Sequence, residues 1–274
     1  MARTARVAPL ARDRAAGSSH IVRSTRWAPT HHRRERQVAG NLAATQVVGR
    51  DMRWDYGSTK QLAWAHGLVI LRMLIFGAVL LGVLRPLLTA DLPRKTGSNP
   101  ELLEQAILAL MAVGFVLLFL VKIAKVTWKD LGFSREGLRR NLLTGVAVFA
   151  AGLVVIAVRF AIDGDPVSDI WQAAIGYSTR QRLVIVLVGI HVVFGEEVLF
   201  RGYLQPGLRA RFGPALAIGI TSLIFAAYHV NFSPMGFLGN VLWGVIWGLA
   251  RERSGSTVPS SVAHFLNWSV LGWL

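Results

Sequence analysis

Five side chains in the last third of this 274-residue chain are of types that do chemistry, and they sit where ionisable groups are costly. Glu196 and Glu197 stand together in 194-FGEEVLFRGYL-204, straight after a run from Leu183 to Gly195 that carries no formal charge; Arg201, His229 and His264 follow in or beside further apolar runs. Ionisable groups in such segments are rare and usually face a bundle interior or a water-filled cavity. Glu197 and Arg201 are four residues apart, so on a helix they share a face, with the carboxylate on the favourable N-terminal side. Burial of that ion pair requires that both charges also be hydrogen-bonded. Glu196 points about 100° away round the helix, and its i+3 and i+4 neighbours are Leu199 and Phe200. One carboxylate is thus neutralised in place and the other is bare. A carboxylate that takes a proton from water, imidazoles that share it and donors for a developing oxyanion are the parts of a hydrolytic site. Glu196 with His229 and His264 is equally a three-ligand set for a catalytic zinc with an open fourth position. No H-E-x-x-H motif occurs, so a metal set would have to be assembled from separate helices.

Local spacing supplies the neighbours. Phe225 precedes His229 by one helical turn in 225-FAAYH-229, which allows the aromatic ring to pack on the imidazole. His264 precedes Asn267 by three and Trp268 by four in 264-HFLNW-268. His191 has no polar companion at helical spacing and reads as a packing residue, as do His66 and the histidines near the N-terminus.

The elements that must carry these residues are membrane helices. The chain is 53% hydrophobic and 16% charged, against about 25% charged in soluble domains. Seven apolar segments follow one another at about 64–88, 103–121, 141–162, 181–204, 214–233, 236–250 and 257–274, the sixth being short for a span of about 20 residues. Arg72 and Arg85 interrupt the first and are expected to snorkel to the nearer interface. No barrel-like alternation is visible, so the expected fold is all-α, a polytopic bundle of about seven transmembrane helices. The net charge of +15 is concentrated in residues 1–63, with eleven arginines and one lysine against four acidic residues. That distribution fits a basic cytoplasmic tail, disordered by composition, and not a nucleic-acid-binding domain. A translation start at Met52 is an alternative for this region. The 122–140 connection holds six basic and two acidic residues, and the connections near 209–211 and 251–253 are also basic. Positive charge on alternate connections places the N-terminus in the cytoplasm. The absence of cysteine excludes disulfides, thiolate metal sites and cysteine nucleophiles.

The ordered set 196-EEVLFR-201 (EExxxR), 225-FAAYH-229 (FxxxH) and 264-HFLN-267 resembles the motifs of the CPBP family (CAAX protease and bacteriocin-processing, or Abi), whose best-known members are the type II CAAX prenyl endopeptidases. The resemblance extends over roughly residues 120–274. It implies an intramembrane protease acting on a membrane-associated protein or peptide. It assigns Glu196 to water activation with help from His229, His264 and Asn267 to the oxyanion, and Glu197 and Arg201, with Phe225, to holding the site. The family has been described both as metalloproteases, with a divalent ion such as zinc, and as glutamate-dependent enzymes with no metal. The third motif is usually HxxxN or HxxxD; here the asparagine is at i+3 and Trp268 occupies i+4.

A prenylated substrate is less expected here, because 25 arginines against five lysines, with abundant alanine and glycine, indicate a GC-rich bacterial gene and hence a bacterial plasma membrane. Two other classes compete. A membrane scaffold or immunity-type protein would keep the same residues for packing. A proton-coupled transporter would call for a matching pair of broken helices in two halves, which the sequence lacks. One discrepancy stands against a shared site: in upright spans with these boundaries, His229 is offset from Glu196 and His264 by about 15 Å. Tilted helices, or a fourth helix continuing beyond Arg201, would remove it.

Overall fold

The structure, a computed structural model, describes residues 55–84, 98–163 and 176–271, all within the compact unit Asp51–Leu274. The expected disordered tail, the alternative start at Met52 and the position of Arg85 lie outside these residues. Among the described residues the chain is helical, in seven continuous helices: α1 Thr59–Leu84, α2 Asn99–Ile123, α3 Leu138–Asp163, α4 Thr179–Phe212, α5 Pro214–Tyr228, α6 Pro234–Ser254 and α7 Val258–Leu271. Three of them, α1, α2 and α4, are long and apolar enough to cross a membrane by length and composition.

Short polar signals start and stop these helices. Ser58, Ser98, Ser178 and Ser233 each accept a hydrogen bond from a first-turn backbone N–H, and Ser178 with Gln181 forms a reciprocal capping box. Gly213, at φ +80°, makes the reversal between α4 and α5, and Gly255, at φ +67°, ends α6. Large apolar side chains line the outside, among them Ile70, Leu74, Leu110, Leu143, Val154 and Leu223. Such exposure suits a bundle whose solvent is lipid.

The helix ends meet in the alternation that the charge pattern suggests. Arg211 donates to Thr59 at 3.0 Å, joining the end of α4 to the start of α1, and Arg209 pairs with Glu252 of α6 at 2.7 Å. The α6–α7 turn holds the α2–α3 connection, with Thr257 Oγ1 donating to Leu131 O at 2.6 Å and Ser256 Oγ to Gly132 O at 2.9 Å. At the opposite end Arg180 of α4 donates to Asn99 of α2. The basic connections therefore gather at one end of the bundle.

α4 is the axis. Its most apolar window is 61% buried, against 28% and 33% for α1 and α2. It runs unbroken for 34 residues and continues past Arg201 to Phe212. From Val193 to Leu204 it is wound in the wider π form, and Gln205 N donates back five residues to Phe200 O. Such turns concentrate at functional sites. Gly244 and Gly248 of α6 sit against Ser222 and Ile218 of α5, where a Cβ would lie 2.8 and 3.1 Å from those side chains. The GxxxG step is packing inside the bundle.

Candidate active site

The π-wound stretch of α4 carries Glu196, Glu197 and Arg201 into the centre of the bundle, where all three are buried. The intrahelical ion pair is formed: Arg201 Nη1 lies 3.2 Å from Glu197 Oε1, and neither side chain is exposed. The guanidinium is held in an aromatic and carbonyl cage. It lies 4.4 Å from the Phe225 ring centroid and 5.4 Å from that of Trp247, and Nη2 donates to Gly244 O at 3.4 Å. The same Glu197 oxygen is 3.0 Å from His264 Nδ1 on α7. Glu197 thus ties α4 to α7, a contact that helical spacing could not reveal.

Glu196 faces elsewhere. Its Oε2 is 3.8 Å from His229 Nε2 and 4.0 Å from His264 Nε2, and that oxygen has no hydrogen-bond partner among the described residues. The three candidate side chains come from α4, the C-cap of α5 and α7. The 15 Å offset disappears because α4 continues beyond Arg201. Its C-terminal half and α5 run antiparallel about Gly213, so Glu196 and His229, sixteen and fifteen residues from the neighbouring helix ends, fall at one depth.

Both imidazoles are oriented by their other nitrogen. His229 Nδ1 lies 2.8 Å from Phe225 O, and His264 Nδ1 lies against the Glu197 carboxylate. Carbonyl and carboxylate oxygens only accept, so each Nδ1 carries the proton and each Nε2 presents a lone pair towards Glu196. Phe225 also packs on His229, with ring centroids 4.4 Å apart, and Trp247 stacks on His264 at 3.6 Å. Trp247 did not stand out in the sequence, because its only signal is an aromatic residue on a glycine-rich helix. His229 is the most accessible of the three, at 27% against 9% for Glu196 and 2% for His264.

Asn267 lies on α7 one turn beyond His264, partly buried, with its side-chain oxygen buried and without a hydrogen-bond partner. Trp268, at the position where the motif usually has its polar residue, packs instead on Val184, Val188 and Val192 of α4.

Two assignments made from spacing are corrected. Arg72 does not snorkel: it is fully buried. Its Nη2 is 2.8 Å from His191 Nε2, and its guanidinium lies 4.5 Å from the Phe76 ring and 5.0 Å from that of Tyr228. His191 is accordingly a polar partner, stacked on Phe76. Gly195 admits the guanidinium, since a Cβ there would meet it, and the charge acts on Glu196 through space. Arg72 thus supplies from α1 the cation that Glu196 lacks on its own helix. The one signal in the sequence was an arginine within an apolar run.

The metal alternative was tested on spacing. Bonds of about 2.1 Å in a tetrahedral site put ligand atoms about 3.4 Å apart, and the 3.8 and 4.0 Å separations are wider. Among the described residues no group of three His, Asp or Glu side chains has the arrangement of a metal site, so the zinc set of Glu196, His229 and His264 does not fit as built.

Residues 178–270 match a family model described as type II CAAX prenyl endopeptidase Rce1-like. The match is narrower than the 120–274 suggested by the motifs and leaves α1, α2 and α3 outside it. No curated protein and no solved structure matches the chain. An all-helical bundle with apolar spans that carries on α4 to α7 a segment matching this family model is an integral membrane protein whose residues 178–270 are similar to the type II CAAX prenyl endopeptidases.

Proposed function

We propose that the protein is an intramembrane endopeptidase that hydrolyses a peptide bond in a membrane-associated protein or peptide. The observation that carries this reading is the convergence of one carboxylate oxygen and two imidazole lone pairs from three helices. Separations of 3.8 to 4.0 Å are too long for direct hydrogen bonds and suit a bridging water. A water there donates one proton to Glu196 and one to a histidine, which leaves an oxygen lone pair for a carbonyl carbon.

Glu196 is the general base: it accepts a proton as the water oxygen bonds to the carbonyl carbon, and the carbonyl becomes an oxyanion. His229, the accessible member, shares that proton and passes it to the leaving amine as the C–N bond breaks. His264 donates to the oxyanion only when Nε2 is also protonated, because its Nδ1–H is committed to Glu197. The Glu197 carboxylate stabilises that imidazolium. The Asn267 amide, one position before the place where the family motif usually has its asparagine, is the second donor. Arg72 holds a fixed positive charge beside Glu196. The basic end faces the cytoplasm, following the positive-inside rule.

The test is cleavage of a quenched peptide library by detergent-purified wild type and Glu196→Gln, each with and without chelator. Cleavage by wild type that survives chelator and disappears in the variant supports the mechanism. Loss with chelator would replace it with a metal-dependent one. Equal cleavage by the variant would remove Glu196 from the chemistry and return the protein to the scaffold class.

A further inference from the structure

A second feature lies at the basic end of the bundle, away from the glutamates. A cavity of about 500 Å³ opens between the α2–α3 connection, the first turn of α3 and the α6–α7 turn. Lys129 and Arg140 bring two cations to it, Glu136 brings one carboxylate, and Ser134 and Ser256 bring hydroxyls. Its floor is fixed by the Ser256 and Thr257 hydrogen bonds to Gly132 and Leu131. The N-terminus of α3 abuts it, so the helix dipole adds to the positive field. Asn141 lines the cavity and is only 3% exposed, yet its side-chain oxygen has no hydrogen-bond partner. The amide offers an acceptor or, when flipped, two donors.

The cavity has a neighbour that shares Arg140. A shallow groove of about 480 Å³ is lined by Arg139, Arg140, Leu143, Thr144 and Ala147. It follows α3 away from the basic end, where Leu142, Leu143 and Val146 are exposed. A basic polar cavity and a groove that leads from two arginines to Leu143 and Ala147 match a molecule with an anionic head and a hydrocarbon tail.

We propose that the cavity and groove together bind one anionic phospholipid. The phosphodiester sits between Lys129, Arg140, Asn141 and the start of α3, and an acyl chain lies along Leu143 and Ala147. Glu136 accepts from a glycerol hydroxyl of the head group, which phosphatidylglycerol has and phosphatidylcholine lacks. The site is separate from Glu196 and does not depend on the proposed peptidase activity.

Native mass spectrometry of the full-length protein in detergent tests this with phosphatidylglycerol, phosphatidylcholine and inorganic phosphate as probes. Phosphatidylglycerol is expected to be retained over phosphatidylcholine, and Lys129→Gln with Arg140→Gln to reduce its retention roughly tenfold. Arg211→Gln, at the same end but outside the cavity, leaves retention unchanged. Leu143→Glu weakens lipid binding by charging the groove. Equal retention of the two lipids, or an equal loss with Arg211→Gln, would overturn the site. Displacement of the lipid by millimolar inorganic phosphate would show a free-phosphate site and overturn the lipid assignment. The cavity side chains Lys129 and Arg140 are exposed, so their variants fold, and an unchanged thermal midpoint checks it.

Discussion

Glu196 and Glu197 are adjacent on one buried turn, and their surroundings differ in kind. Glu197 commits one oxygen to both Arg201 at 3.2 Å and His264 at 3.0 Å. Glu196 presents an oxygen to two imidazoles that stand beyond hydrogen-bond reach, and its cation, Arg72, acts from another helix without an ion-pair contact. A carboxylate held through one oxygen by a cation and an imidazole is an anchor, because removal of either partner strands a buried charge. A carboxylate left with a free oxygen beside proton acceptors is poised to take a proton.

The largest effect should separate the two by chemistry. Glu196→Gln keeps the side chain's size and removes its basicity, so cleavage should fall by about 10²–10⁴-fold with little change in the detergent thermal midpoint. A variant that cleaves at the wild-type rate would break the contrast at once. Glu197→Gln should do the reverse first: it leaves Arg201 buried without its counter-charge, a cost of about 3–5 kcal/mol. The measurement is the thermal midpoint, and Glu197→Gln with Arg201→Met should recover part of the loss. A single variant as stable as wild type would show that Glu197 is no anchor.

Smaller effects sharpen the comparison. Gly195→Ala places a methyl where the Arg72 guanidinium lies, so the fixed charge must move away from Glu196. Cleavage is expected to drop by up to about 10²-fold, as for other displacements of positioning groups. Arg72→Gln should reproduce the effect, and full activity in both would make Arg72 purely structural. Gly244→Val overpacks the α5–α6 contact against Ser222 and should cost about 1–3 kcal/mol. Cleavage per folded molecule is expected to hold, which a titration of active sites against midpoint shifts would reveal.

Much of this was open to inspection along the chain. Spans, their alternation and the basic end follow from apolar length and charge, because lipid forces backbone pairing within each helix. The Glu197–Arg201 pair is local, and i,i+4 spacing suffices to find it. The contact of Phe225 with His229 is local too. The failures share one cause: each concerned a partner on another helix. Arg72 was assigned to the interface because a lone arginine in an apolar run has no partner on its own helix; its partner, His191, is 119 residues away. His191 was dismissed for the same reason.

The sequence by itself thus determined which side chains are too polar for lipid, which of them share a helix face and how many helices carry them. Only the tertiary structure decided which groups from other helices reach each carboxylate of the Glu-Glu pair. That choice depends on α4 continuing past Arg201, which brings His229 to the depth of Glu196. It depends equally on α7 delivering His264 Nδ1 to Glu197 and on α1 inserting Arg72 at Gly195. Helical periodicity encodes neighbours three and four residues apart, whereas packing between helices joins residues distant in the chain, and this site is built largely from contacts of the second kind.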